Sequence, residues 1–184
     1  MNIKENIRPG GRSARVQASV HKAVRALMAT MDRTELTIPQ IASEAGVTPS
    51  TIYRRWGDLQ ELLGDVAVER LRPETDPADF GSAKADLLAW AEQYAEEMAS
   101  GPGRQMIRDV LASKTDTGAG RCCVYTMQQL DIIVTRAEQR GETIPPTDTL
   151  IDHLVSPITY RILFNEQVVA PGYVQTLVTR LLPD

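Results

Sequence analysis

Apolar positions recur at steps of three and four along almost the whole chain, the spacing of one face of an α-helix. In the first such stretch, from Ser13, the residues Val16, Val20, Val24, Leu27, Met28 and Met31 share a face, while Arg12, Arg15, Lys22 and Arg25 make the rest of it basic. Thr37 opens a second helix as N-cap with Pro39 in its first turn, and Gly46 ends it. Thr48 caps a short third helix whose first residue is Pro49. Gly57-Asp58 breaks the chain, and a fourth helix is predicted over residues 59–71, stopped by Arg72-Pro73.

Residues 73–79 (PETDPAD) are acidic and proline-rich and read as a linker. A long helix then carries Phe80, Ala83, Leu87, Ala91, Tyr94 and Met98 on one face, with Gly101-Pro102-Gly103 as its interruption. Helices are predicted over 104–113 and, after Gly118 and Gly120, over 121–140, where Gly141 stops the chain and Pro145-Pro146 turns it. Over 148–165, Ile151, Leu154, Val155, Ile158 and Ile162 line one side, and Pro157 predicts a kink or a local irregularity. Pro171-Gly172 precedes a last helix with Val174, Leu177, Val178 and Leu181. The fold class that follows is all-α, with about nine helices and no strand. Residues 1–71 form one expected domain, of which 1–12 are a flexible basic arm, and residues 79–184 form a second.

Charge separates these two parts. Residues 1–60 hold nine Lys/Arg against five Asp/Glu, whereas residues 61–184 hold eleven against nineteen. A basic head on an acidic body points the head toward a polyanion. The two cysteines, Cys122 and Cys123, are neighbours, so no disulfide framework is expected and their default role is packing. No apolar run approaches a bilayer span and no signal peptide is visible, so the expected location is cytoplasmic, without a membrane partner. His21 and His153 read as ordinary histidines, and with the cysteine pair they form no metal-ligand spacing. No nucleophile–base pair, paired-carboxylate motif, phosphate loop or dinucleotide fingerprint occurs, so neither an enzyme nor a cofactor is expected.

The informative stretch is residues 37–63, TIPQIASEAGVTPSTIYRRWGDLQELL. Two short helices flank Gly46-Val47-Thr48. Gly46 permits a left-handed backbone, Val47 turns inward, and Ile38, Ile41, Ala42 and Ile52 supply the inner faces, with Ala45 small enough for close approach. This is the layout of a helix-turn-helix, whose second helix enters the major groove. Thr48, Ser50 and Thr51 place hydroxyls near the N-terminus of that second helix, which itself favours a phosphate. Tyr53 offers a phenol to the DNA backbone, and Arg54 and Arg55 add cationic reach. Thr37 and Pro49 complete the candidate DNA-binding set.

The order of helix 1, IASEAGVTPSTIYRRW and a Leu-rich fourth helix resembles the TetR family of bacterial repressors over about residues 13–65. By that resemblance Thr48, Pro49, Ser50, Thr51, Tyr53 and Arg54 occupy recognition-helix positions. Leu59 departs from the family pattern, which often has a phosphate-binding lysine there. Residues 135–166 resemble, more weakly, the C-terminal ligand-binding and dimerising domain of such repressors. The resemblance implies a homodimer on a double-stranded DNA operator and a small-molecule inducer, apolar or amphipathic, in the second domain. Trp90, Tyr94, Met98, Met106, Tyr125 and Met127 are the candidate pocket residues, since aromatics and flexible Met suit adaptable apolar pockets. The alternatives are a DNA-binding protein that needs no ligand and a helical interaction module that never touches DNA.

Overall fold

The computed structural model describes residues 11–114, 116–165 and 169–183. Among them the regular elements are helical, with no strand. They are α1 (Arg12–Met28), α2 (Ile38–Ala45), α3 (Pro49–Trp56), α4 (Leu59–Arg70), α5 (Ala83–Ala99), α6 (Gly101–Ala112), α7 (Asp116–Gln139), α8 (Thr147–Leu150), α9 (Ser156–Phe164) and α10 (Pro171–Leu181), plus a 3₁₀ turn at Arg33–Glu35. Residues Ile151–Val155 are π-helical and join α8 to α9 without leaving the right-handed helical region. Counting that run as one rod, the described residues make nine helical rods.

The π segment is where the irregularity expected at Pro157 occurs. A proline ring clashes with the carbonyl four residues back, here that of His153, and offers it no N–H. Widening the preceding turn relieves the clash while keeping the rod continuous.

Three expectations are corrected. Phe80 is not on the face of α5: Ser82 caps that helix through the Ala85 N–H, and Phe80 lies before it with 62% of its surface exposed. Gly101-Pro102-Gly103 is not an interruption but the first turn of α6. Ser100 closes α5 by donating to the Glu97 carbonyl (2.7 Å) and opens α6 by accepting the Gly103 N–H (3.0 Å). Gly103 is required by packing, because a Cβ there would stand 2.0 Å from the Glu97 carbonyl oxygen and 2.8 Å from Met98 Cα. Gly118 and Gly120 do not precede α7 but lie inside it, since that helix begins at Asp116.

The chain divides into two compact units between Val66 and Ala67, inside α4. Burial explains the position. Leu62, Leu63 and Val66 belong to the core of the first unit, with Val20, Val24, Ile41 and Ile52. Ala67 and Val68 pack instead with Val110. The second unit has its main core around Leu87, Leu130, Ile133, Leu150, Leu154, Ile158 and Ile162, all exposed to 1% or less. Its α4–α5 connector is held by charge. Asp86, buried, accepts the Phe80 N–H (2.6 Å) and pairs with Arg140 (2.9 Å), which also bonds Asp79 and Glu142. Arg136 donates to the Pro77 carbonyl (2.7 Å).

Candidate functional site

The turn between α2 and α3 is built from local chemistry. Thr37 begins α2, and its amide donates to the Gln40 side chain (2.9 Å). At the other end Gly46 adopts φ +66°, its N–H donates to Ser43 and the Val47 N–H donates to Ala42 (3.0 Å). That paired closure is a Schellman motif, which satisfies the last carbonyls of α2 and turns Val47 back toward the core. Pro49 then starts α3. Ile38, Ile41, Ala42 and Ile52 are buried between the helices, as their spacing predicts. Asp58, read from sequence only as part of a break, accepts the Glu61 N–H (2.9 Å) at the start of α4. Leu59 packs, partly buried, against the core of the unit.

The opposite face of α3 is polar and open. Thr48 Oγ1 lies 2.9 Å from both Ser50 Oγ and Thr51 Oγ1, so three hydroxyls cluster at the helix N-terminus. Ser50 and Pro49 are exposed, Tyr53 is 50% exposed and Arg54 is exposed. Thr37 is exposed at the head of α2. Arg12 and Arg15 are exposed on α1; the arm before Gly11 lies outside the described residues. Hydroxyl donors, a phenol and a guanidinium on one exposed helix, with a helix N-terminus among them, suit phosphate oxygens and base edges.

Sequence reasoning missed what holds this face in place. Asp65 of α4 accepts from Trp56 Nε1 of α3 (2.9 Å) and from Gln17 Nε2 of α1 (3.0 Å), and its Oδ2 lies 2.9 Å from His21 Nε2 of α1. His21 is buried, and its ring lies 6.0 Å from that of Trp56. Four polar side chains from three helices thus meet at one carboxylate oxygen. Arg55 sits beside them, donating to the Ser13 carbonyl (3.1 Å), Ser13 Oγ (2.7 Å) and Gln17 Oε1 (2.6 Å). The available signal was an Asp and a His on the apolar sides of their helices, with partners more than 40 positions apart.

The second unit contains a cavity of about 840 Å³. Five of the six candidate pocket residues line it: Trp90, Tyr94, Met98, Met106 and Tyr125. Met127 is not among the lining residues and is half-buried elsewhere on α7. Trp90 and Tyr94, one turn apart on α5, stack with centroids 5.3 Å apart and 15° between planes. The Tyr94 hydroxyl lies 3.1 Å from Thr159 Oγ1, and burial raises its pKa, so the phenol stays neutral. The connector supplies another wall from Leu71 to Ala78, where no pocket residue was expected. Cys122 also lines the cavity, and burial raises its thiol pKa; Cys123 is exposed. Among the described residues no group of His, Cys, Asp and Glu is placed to hold a metal, and no helix is long and apolar enough to cross a membrane.

Two family models match the chain. The model of tetR-family bacterial regulatory proteins matches residues 22–66, and that of the tetracyclin repressor-like C-terminal domain matches residues 77–181. Among similar proteins, the HTH-type transcriptional regulator AqdR of Rhodococcus erythropolis is 26% identical over 142 residues, covering 75% of this chain and 69% of that one. An uncharacterized HTH-type transcriptional regulator of Mycobacterium tuberculosis is 26% identical over 151 residues, covering 78% of this chain and 74% of its own. The crystal structure of a TetR family transcription regulator, SCO0332, superposes with a TM-score of 0.68 at 26% identity, over 90% of this chain and 96% of that one.

Proposed function

The chain belongs to the TetR family, whose members are DNA-binding transcriptional regulators rather than enzymes, and from that premise we propose that it is a cytoplasmic repressor released from its operator by a small molecule. The observation that carries the reading is the exposed face of α3. Thr48, Ser50 and Thr51 would meet phosphates and base edges at the N-terminus of that helix, Tyr53 and Arg54 would contact the DNA backbone, and Pro49 and Thr37 would set the two helix starts. Regulators of this family work as dimers. On α9, Tyr160 and Phe164 are 66% and 74% exposed with rings 5.0 Å apart, an apolar pair suited to burial against a second copy. A two-fold dimer separates its recognition helices by about one DNA turn, ~34–36 Å, and demands a near-palindromic operator.

The cavity is the proposed inducer site. Its Trp90–Tyr94 stack, Met98, Met106 and Tyr125 suit an apolar or amphipathic ligand. Such a ligand acts only if it binds the DNA-free conformer more tightly than the DNA-bound one.

Selection of bound sequences from random duplex DNA tests the reading. A recovered palindrome is expected, and binding to it should disappear at moderate salt when Tyr53 and Arg54 are both changed to Ala. A wild-type protein with no salt-dependent affinity for any duplex overturns the proposal. A broad apolar ligand screen by thermal shift tests the cavity: a hit should be lost on Trp90→Ala, and silence across the whole set favours a ligand-independent regulator.

A further inference from the structure

We infer that Arg55 is a positioning residue for α3 rather than one of its phosphate contacts. Its guanidinium is turned onto α1, where Nη1 donates to the Ser13 carbonyl (3.1 Å) and Ser13 Oγ (2.7 Å), and Nη2 donates to Gln17 Oε1 (2.6 Å). The amide end of the same Gln17 donates to Asp65 Oδ2 (3.0 Å). Trp56 Nε1 donates to that oxygen as well (2.9 Å), and the Arg55 guanidinium carbon lies 5.2 Å from the centroid of the Trp56 ring. The contacts close a circuit, Arg55 to Gln17 to Asp65 to Trp56 and back, that crosses α1, α4 and α3.

The circuit matters because α3 is short and its apolar packing rests on few side chains. It is eight residues long and Ile52 is its one fully buried side chain. Ile52 and the partly buried Trp56 resist lifting of the helix, and the polar contacts add resistance to rotation about its axis. Rotation would move Thr48, Ser50, Thr51 and Tyr53 relative to the groove, and base-edge contacts depend on placement far more steeply than phosphate contacts do. A planar fork bonded to α1 through two nitrogens, together with the Trp56 bond to Asp65 of α4, opposes rotation, and a lysine does not reproduce the geometry of that fork. Arg55 therefore acts on sequence discrimination through the hydroxyl residues rather than through its own charge.

The test uses the full chain and two duplexes, the sequence recovered by selection and a random sequence of equal length. Affinity for each is measured across a salt series for the wild type, Arg55→Lys, Arg55→Ala, Gln17→Met and the double variant Arg55→Ala/Gln17→Met, with thermal melting of each to confirm folding. A positioning role predicts that Arg55→Lys and Arg55→Ala both lower the selected-over-random ratio about tenfold or more, with the salt slope unchanged. Gln17→Met, which removes no charge, should lower the ratio in the same direction, and the double variant should lose little beyond Arg55→Ala. The inference is overturned if Arg55→Ala lowers the slope by about 0.9 and Arg55→Lys restores both slope and affinity, the signature of a direct phosphate contact. It is also overturned if Gln17→Met leaves the ratio unchanged. Absence of any salt-dependent binding by the wild type would instead sink the DNA-binding reading itself, before a variant is made.

Discussion

Replacing Asp65 with Ala removes one acceptor from three donors at once. His21 and Trp56 bring ring nitrogens to Asp65 Oδ2 at 2.9 Å, and Gln17 brings its amide at 3.0 Å. His21 is 3% exposed, so water does not readily replace the lost partner, whereas Gln17 is half-buried and can turn outward. A buried donor left unsatisfied costs about 1–3 kcal/mol, so buried His21 and partly buried Trp56 together set an expected loss of at most about 2–6 kcal/mol. That is a large share of the roughly 5–15 kcal/mol that holds a typical folded protein. Asp65→Asn keeps one carbonyl oxygen for the three donors and loses the charge and the second acceptor, so its expected cost is smaller, about 1 kcal/mol. Urea unfolding of a Trp90→Phe background, followed by fluorescence, leaves Trp56 as the one remaining tryptophan and so reports on the first unit. An Asp65→Ala loss below about 0.5 kcal/mol would refute the reasoning, because it would show the three donors resolvated at no cost. An Asn variant as damaged as the Ala variant would show that charge, not acceptor geometry, holds the site.

The remaining predictions concern the second unit. Gly103→Ala should destabilise by about 1–3 kcal/mol or more, because its Cβ meets backbone at 2.0 Å, whereas Gly120→Ala, with no atom within 4 Å of its Cβ, should stabilise α7 by about 0.5–1 kcal/mol; chemical denaturation of the pair checks both. Tyr94 ionises late because burial raises its pKa above the ordinary 10.0, so the stability it contributes is present at neutral pH and is lost as pH rises beyond that value. An ultraviolet titration of phenolate should show a late component that vanishes in Tyr94→Phe. Cys123 should react with a thiol reagent at mildly alkaline pH well before Cys122, whose buried thiol forms thiolate reluctantly; mass spectrometry of digests would show the order, and equal rates would contradict it.

What was legible from sequence was local or periodic. Thr37, Gly46, Thr48 and Pro49 mark the ends of α2 and α3 through caps and backbone freedom, properties a few neighbouring residues settle. Ile38, Ile41 and Ile52 declare their buried face by spacing alone. Five cavity residues were legible for a related reason: Trp90, Tyr94 and Met98 repeat every fourth position on α5, and Met106 and Tyr125 fall where α6 and α7 face the same space. Met127, two residues beyond Tyr125, lies on another side of α7, and composition alone gave no means to separate the two.

What only the tertiary structure decided was set by contacts distant in sequence. Glycine reads locally as a breaker, yet Gly103 is selected by the backbone of α5 against which it packs, and Gly118 and Gly120 are carried inside α7. Propensity differences near 1 kcal/mol per residue yield to packing of that size. The joining of His21, Gln17, Trp56 and Asp65 requires three helices to converge before any of the four has a partner, and the connector becomes a cavity wall only once α5 and α7 stand beside it. Sequence by itself determined which helix presents hydroxyls, a phenol and guanidinium groups, because that follows from one periodic pattern and its caps. The tertiary structure decided how that helix is aimed and that Arg55 faces α1, because hydrogen-bond partners more than 35 positions apart leave no trace in local order.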